Sequence, residues 1–173
     1  MKIIVSACLL GENCRYDGSN NYDERVVEFL KDHEAIPVCP EVLGGLPTPR
    51  TPCELVGPRV VSADGEPMDA QFHKGAQEAM KIAMHEHADF AILQPRSPSC
   101  GAHEVYDGTF SSKLVPGEGL FATRLRLIGV DAYEPDELDK LREYLAQDDP
   151  WALPDFSSRH KGLKKLLSKI RGE

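Results

Sequence analysis

Short apolar runs alternate with longer amphipathic segments along this chain, and that alternation constrains the fold more than any other feature. Four short runs rich in apolar residues are typical of buried strands, at 3–7, 36–38, 89–93 and 128–132. Four segments with helical patterning lie between and after them, at 21–31, 69–87, 117–127 and 135–147. Strands that alternate with helices favour βαβ units. We therefore predict an α/β fold, Rossmann-like and three-layered, with a short parallel sheet flanked by helices and a C-terminal helical extension.

The end of the chain differs from the rest in charge. The 173 residues carry 20 Lys and Arg against 28 Asp and Glu, a net charge of −8. Residues 151–173 instead hold six Lys and Arg against two acidic residues. Their apolar residues fall on one face of a helix that is basic on the other face. We predict one domain over residues 1–149 and a basic amphipathic helical tail over 150–173, which packs on the domain or forms a dimer contact.

Composition limits the class of protein and its partners. Hydrophobic residues make up 41% of the chain and charged residues 28%, a balance typical of globular proteins. The acidic net charge argues against a general nucleic-acid coat. No apolar run approaches the roughly 18–20 residues of a membrane span, and no secretory pattern follows Met1. We expect a cytoplasmic monomer or homodimer that binds neither nucleic acid nor membrane.

Three of the five cysteines follow predicted strands. Cys8 and Cys39 come directly after the first and second strands, and Cys100 lies in the loop after the third. Because parallel strands bind ligands beyond their carboxyl ends, these cysteines are expected to converge in one crevice. Three thiolates without a fourth protein ligand suit either zinc with an open position or a [4Fe-4S] cluster with one free iron. The alternative is that each cysteine is a small buried hydrophobic residue.

Several sequence blocks resemble the DUF523 family of small bacterial proteins, which includes the 2-thiouracil desulfurases. The resemblance extends from about Lys2 to about Leu145. The matching blocks are Ser6–Gly11 with Cys14–Gly18, Cys39–Glu41 with Gly44–Arg50, Ser97–Gly101, and Tyr106–Phe110.

The resemblance implies an enzyme, a thiouracil desulfurase, and a cofactor. A [4Fe-4S] cluster would be held by Cys8, Cys39 and Cys100, with its fourth iron open to the sulfur of a small thiolated nucleobase. The reaction would be a non-redox conversion of 2-thiouracil to uracil and sulfide. Glu41 would activate water, and Ser97 would hydrogen-bond the base or relay a proton.

Other interpretations stay open from the residues alone. The protein could be a non-catalytic iron–sulfur or sulfur-carrier protein, or a zinc hydrolase that uses the same three cysteines. Glu41 could be an ordinary acid at a helix N-terminus, and Ser97 a turn residue. Cys14 belongs to a matching block but is not expected to be a ligand, and Cys53 is interpreted as a packing residue. Arg50 is interpreted mainly as a salt-bridge or loop-bracing residue, and His103 is placed near the crevice.

Overall fold

The computed structural model describes residues 1–146 of the chain. Met1–Asp136 forms one compact unit, and the remaining described residues belong to a second. The predicted basic tail of residues 150–173 lies outside the described residues. The predicted boundary at residue 149 therefore stays a prediction. No helix in the described part of the chain is long and apolar enough to cross a membrane.

The described residues form eight strands and five α-helices. The strands are β1 (Lys2–Ser6), β2 (Glu34–Val38), β3 (Cys53–Val56), β4 (Arg59–Ser62), β5 (Phe90–Ile92), β6 (Glu104–Tyr106), β7 (Leu114–Pro116) and β8 (Asp131–Tyr133). The helices are α1 (Glu24–Phe29), α2 (Pro40–Leu43), α3 (Asp69–His85), α4 (Leu120–Leu127) and α5 (Leu138–Leu145). The last of these belongs to the second unit.

A four-stranded parallel sheet forms the centre of the first unit. Its strand order is β2-β1-β5-β8. Ile4 of β1 lies between Ile36 of β2 and Ala91 of β5, and is fully buried. The central strands β1 and β5 are largely buried and form continuous apolar runs, which is why the sequence pattern located them, whereas the edge strands β2 and β8 are only partly buried. The predicted α/β fold with a short parallel sheet is confirmed.

Helices cover both faces of this sheet. Right-handed crossovers place α1 on one face, because the chain moves outward from β1 to β2. The chain then returns past β1 to β5 and β8, which places α3 and α4 on the other face. Ala79 of α3 and Leu125 of α4 share the core on that face, while Phe29 of α1 approaches Phe90 with ring centroids 6.4 Å apart. The direction of winding reverses between β1 and β5, where open α/β sheets have their crevice.

Several elements differ from their predicted bounds. Helix α1 begins at Glu24 rather than at residue 21, because the Asp23 carboxylate accepts a hydrogen bond from the Arg25 amide (2.9 Å) and caps the helix. The segment 42–57, whose Gly and Pro residues favour a loop, contains the last residues of α2 and the whole of β3. The β6–β7 hairpin also falls in a region where no strand was predicted.

Candidate active site

A cavity of about 420 Å³ opens at the carboxyl end of the parallel sheet. Cys8 enters it from a single 3₁₀ turn (Ala7–Leu10) directly after β1, and Cys39 lies between β2 and α2. Cys100 reaches it from the loop after β5. The three cysteines singled out from the sequence thus line one cavity. Their convergence follows from the winding of the chain, which brings the ends of β1, β2 and β5 together.

A fourth thiol, Cys14, lies with Cys8 and Cys39 in this cavity. Hydrogen bonds from Cys14 lower the pKa of Cys8 and lower the pKa of Cys39 to about 7. Hydrogen bonds with Cys39 and Cys8 raise the pKa of Cys14 itself. The Asn21 amide donates a further hydrogen bond to the Cys8 sulfur (3.5 Å). No residue pattern indicated this contact from Asn21 beforehand.

The other two cysteines, Cys100 and Cys53, ionise less readily. Burial raises the pKa of the Cys100 thiol, which is only 5% exposed. Burial also raises the pKa of Cys53 to about 11. Cys53 lies on β3, where it packs against the core cluster of Leu46, Val60 and Phe72, as predicted, and it also lines the cavity.

The side chains available to a metal centre in this cavity are mainly thiols, which bind both iron–sulfur clusters and zinc. Within residues 1–146, no three His, Cys, Asp or Glu side chains are grouped closely enough to hold a single ion as they stand.

Glu41 lies in the first turn of α2 and lines the same cavity. Both of its carboxylate oxygens have partners. Oε2 accepts a hydrogen bond from Nε of Arg50 (2.7 Å), and Oε1 accepts one from the Ser99 hydroxyl (3.1 Å). The Arg50 side chain is 7% exposed and that of Glu41 is 15% exposed, so the ion pair is buried. These two contacts fix the direction in which the carboxylate points.

Arg50 has the bracing role that the sequence favoured, although its partner was not identified there. Ser99 was missed as a site residue. The only available signal was that both residues belong to matching blocks, Gly44–Arg50 and Ser97–Gly101.

Ser97 shapes the loop that carries Cys100. Its hydroxyl oxygen accepts hydrogen bonds from the backbone amides of Ser99 and Cys100, both at 3.1 Å. This is the turn geometry of a serine side chain, and Ser97 lines the cavity at the same time. His103, which was placed near the crevice, is not among the residues that line it.

Aromatic and basic side chains complete the cavity wall. The aromatic residues are Tyr16, Tyr106 and Phe110. Arg15 also lines the cavity, and its guanidinium lies over the Tyr16 ring, 5.1 Å from the centroid. The cavity therefore combines a thiol-rich floor, one held carboxylate and an aromatic wall. Such an arrangement suits a small, flat ligand.

Comparisons with known proteins agree with this chemistry. A family model described as 2-thiouracil desulfurase matches residues 3–137. The uncharacterized protein YbbK of Bacillus subtilis (strain 168) is 36% identical over 149 residues, which cover 80% of this chain and 99% of that protein. A solved structure of the [4Fe-4S]-dependent thiouracil desulfidase TudS is 39% identical and has a TM-score of 0.78. The match to it covers 84% of this chain and 97% of that one.

Proposed function

Because the chain belongs to the 2-thiouracil desulfurase family, we propose that it converts 2-thiouracil to uracil and sulfide at a [4Fe-4S] cluster held by Cys8, Cys39 and Cys100. The family and the solved relative identify a thiouracil desulfurase with a [4Fe-4S] cofactor and a small-molecule thiouracil substrate. Membership in a family of enzymes favours turnover over a sulfur-carrier role. The cytoplasmic location, the oligomeric state and the absence of a nucleic-acid partner stay predictions.

The observation that carries the proposal is that Cys8, Cys39 and Cys100 line one cavity together with Glu41, a cavity that Cys14 and Cys53 also line. When bound there, the cluster supplies a thiophilic Lewis acid, and a thiocarbonyl sulfur is a soft ligand for iron. Cys8 and Cys39 have lowered pKa values, which favours the thiolate form that a cluster requires. Cys14 is not included among the ligands, because the resemblance assigns that role to Cys8, Cys39 and Cys100.

Glu41 acts in this proposal as the general base. Each carboxylate oxygen accepts one hydrogen bond from the protein and has a further lone pair for a water molecule. Glu41 takes one proton from a water whose oxygen forms a bond to the carbon that bears sulfur. The new oxygen then becomes a carbonyl as the carbon–sulfur bond breaks. Sulfur leaves as hydrogen sulfide with the proton returned by Glu41 and the remaining proton of the water, so the carbon keeps its oxidation level. Ser97 lies two residues before Ser99, which donates to Glu41. Ser97 lines the cavity and supplies a hydroxyl for the edge of the base.

The ligand assignment is tested by iron and acid-labile sulfide content after anaerobic reconstitution. The full-length protein is expected to hold about four of each per chain. Cys8→Ser, Cys39→Ser and Cys100→Ser are each expected to lose most of this content, because the proposed cluster has no fourth protein ligand to replace the one removed. Cys53→Ser is the matched control and keeps the full content, since Cys53 packs on β3. Full iron content in any of the three ligand variants would contradict the assignment of that cysteine.

The role of Glu41 is tested by Glu41→Gln, which keeps the shape of the side chain and removes the base. Release of uracil from 2-thiouracil is expected to fall by about 10²–10⁴-fold, the usual contribution of a general base. Iron content is expected to stay at the wild-type value, because Glu41 is not a ligand. Undiminished turnover in this variant would mean that another group activates water, whereas loss of iron would give Glu41 a structural role.

A further inference from the structure

Phe110 has an unusual backbone conformation for a bulky residue. Its φ angle is +55°, in the left-handed region that favours glycine. The side chain is 39% exposed, yet it lines the cavity that holds the cysteines. A large apolar ring that is partly exposed on a cavity wall costs free energy in two ways, through backbone strain and through contact with water.

The loop that carries Phe110 is held in place by two carboxylates. Glu54 on β3 is only 8% exposed, and its Oε2 accepts hydrogen bonds from the backbone amides of Gly108 and Phe110, both at 3.0 Å. Asp107 Oδ1 accepts from the amide of Thr109 at 3.0 Å and from its hydroxyl at 2.5 Å. The position of the Phe110 backbone is thus fixed by the fold before any ligand binds.

Backbone strain in the described part of the chain is concentrated around this cavity. Four non-glycine residues within residues 1–146 have positive φ, and three of them line it: Arg96, Phe110 and Ser112. Strained residues persist only where the surrounding structure holds them, and they cluster at ligand sites. Phe110 is the one of the three whose side chain offers a flat apolar face.

Within residues 1–146, neither an aromatic ring nor a guanidinium lies on the Phe110 ring, whereas the guanidinium of Arg15 lies over the Tyr16 ring. Aromatic rings stack on flat heterocycles in offset or edge-to-face arrangements, and such stacking tolerates changes at the ring edge.

We propose that Phe110 stacks on the heterocyclic ring of the substrate and thereby selects planar ring thiones over acyclic thiocarbonyl compounds. This inference rests on the proposed function, because it concerns the substrate of the same cavity. It assigns Phe110 to binding of the ring. The chemistry at the carbon–sulfur bond belongs to other residues.

Two substitutions separate a binding role from a structural one. Phe110→Gly removes the ring and relieves the strain, since glycine adopts positive φ readily. Phe110→Tyr keeps a stacking ring. Tyr22→Ala is the matched control, because Tyr22 is an exposed aromatic residue (56%) that does not line the cavity.

The expected results concern binding, turnover and stability of protein with equal iron content. In Phe110→Gly, the Kd for uracil from titration calorimetry and the KM for 2-thiouracil are expected to rise about tenfold. Its urea midpoint is expected to be equal to or above that of wild type. Phe110→Tyr and Tyr22→Ala are expected to resemble wild type. Turnover of thiourea, which has no ring, is expected to change less than twofold in Phe110→Gly.

Two results would overturn the inference. One is wild-type binding of uracil by Phe110→Gly. The other is weaker binding accompanied by a lower urea midpoint, which would show that the ring only packs the loop. Failure of the proposed function looks different: the wild type would leave 2-thiouracil unchanged, while the calorimetric comparison with uracil would still decide the role of Phe110.

Discussion

At the scale of single residues, the side chain of Arg50 joins several segments of the site. It donates to Glu41 at 2.7 Å and to the carbonyl of Cys14 at 2.8 Å. It also reaches the carbonyl of Pro47 at 3.2 Å and the hydroxyl of Thr48 at 3.1 Å. One buried guanidinium thus joins the Cys14 loop, helix α2 and the segment that follows it. A planar cation with five donors can make such a set of contacts, and lysine cannot.

Removing this cation is expected to destabilise the protein strongly. Arg50→Met leaves the Glu41 charge and two carbonyls without their donors, and breaking a buried pair in this way costs about 3–5 kcal/mol. The double variant Arg50→Met with Glu41→Gln is expected to recover part of this loss, because the unpaired charge is gone. Urea denaturation measures the free energy of unfolding in each case.

Arg59→Met provides the comparison for that experiment. Arg59 pairs with Asp69 at the surface, where its side chain is 65% exposed, so its loss is expected to change stability little. An Arg50→Met protein as stable as Arg59→Met would show that the buried pair contributes nothing to the fold.

At the scale of elements, helices α2 and α3 meet backbone to backbone. A Cβ atom on Gly75 of α3 would lie 1.8 Å from the carbonyl oxygen of Pro40. A Cβ atom on Gly44 would lie 2.1 Å from the carbonyl oxygen of Gln71. Two glycines therefore allow the four-residue helix α2 to lie directly on α3. This contact positions Cys39, which directly precedes α2, and Glu41, which lies in its first turn.

Gly75→Ala is expected to destabilise the protein by about 1–3 kcal/mol, the usual cost of inserting a methyl group into a close-packed contact. In an open helix the same substitution would stabilise by up to about 1 kcal/mol, so the sign of the effect is diagnostic. Iron content after reconstitution is expected to fall as well, because α2 must move. Gln77→Ala, at an exposed position of α3, is the control. A more stable Gly75→Ala protein would refute the close contact.

Elements with a clear hydrophobic periodicity were predictable from the sequence, and elements in segments rich in Gly and Pro were not. Helix α3 begins at Asp69 as predicted, because Phe72, Ala76, Ala79 and Ala83 follow a helical spacing. Helix α2 and strand β3 lie in a Gly- and Pro-rich segment, where local propensity favours loops. They form because α2 packs on α3 and β3 pairs with β4, and neither contact has a signal in the local sequence.

At the scale of the whole molecule, the position of the site followed from topology alone. Cys8 and Cys39 were placed at strand ends in the sequence, and a parallel sheet brings such ends to one edge. Cys100 could be included for the same reason. The contacts of Arg50 with Glu41 and of Glu54 with the Phe110 loop could not be predicted, because each joins segments that are adjacent only in the folded chain.

The whole molecule is also expected to lose stability in acid. Hydrogen bonds lower the pKa values of several carboxyl groups below their ordinary values of 3.8 for Asp and 4.5 for Glu. The amide of Val60 does so for Asp69, the hydroxyl of Thr109 does so for Asp107, and the ammonium of Lys2 does so for Glu86. A group whose pKa is lower in the folded state binds fewer protons there than in the unfolded state. Its stabilising effect is therefore complete above the unfolded pKa and is lost as the pH falls.

The free energy of unfolding of the cluster-free, reduced chain should accordingly decrease from about pH 5 towards pH 2, and urea midpoints across that range measure it. Asp69→Asn keeps an oxygen that accepts the hydrogen bond from Val60 (3.0 Å) but cannot titrate. The slope of stability against pH is expected to be smaller in this variant, while its stability at pH 7 falls only slightly. An unchanged slope would mean that Asp69 has the same proton affinity in the folded and unfolded states. Rising stability in acid would contradict the sign of all three shifts, because each of these carboxylates is bound by donors that need it ionised.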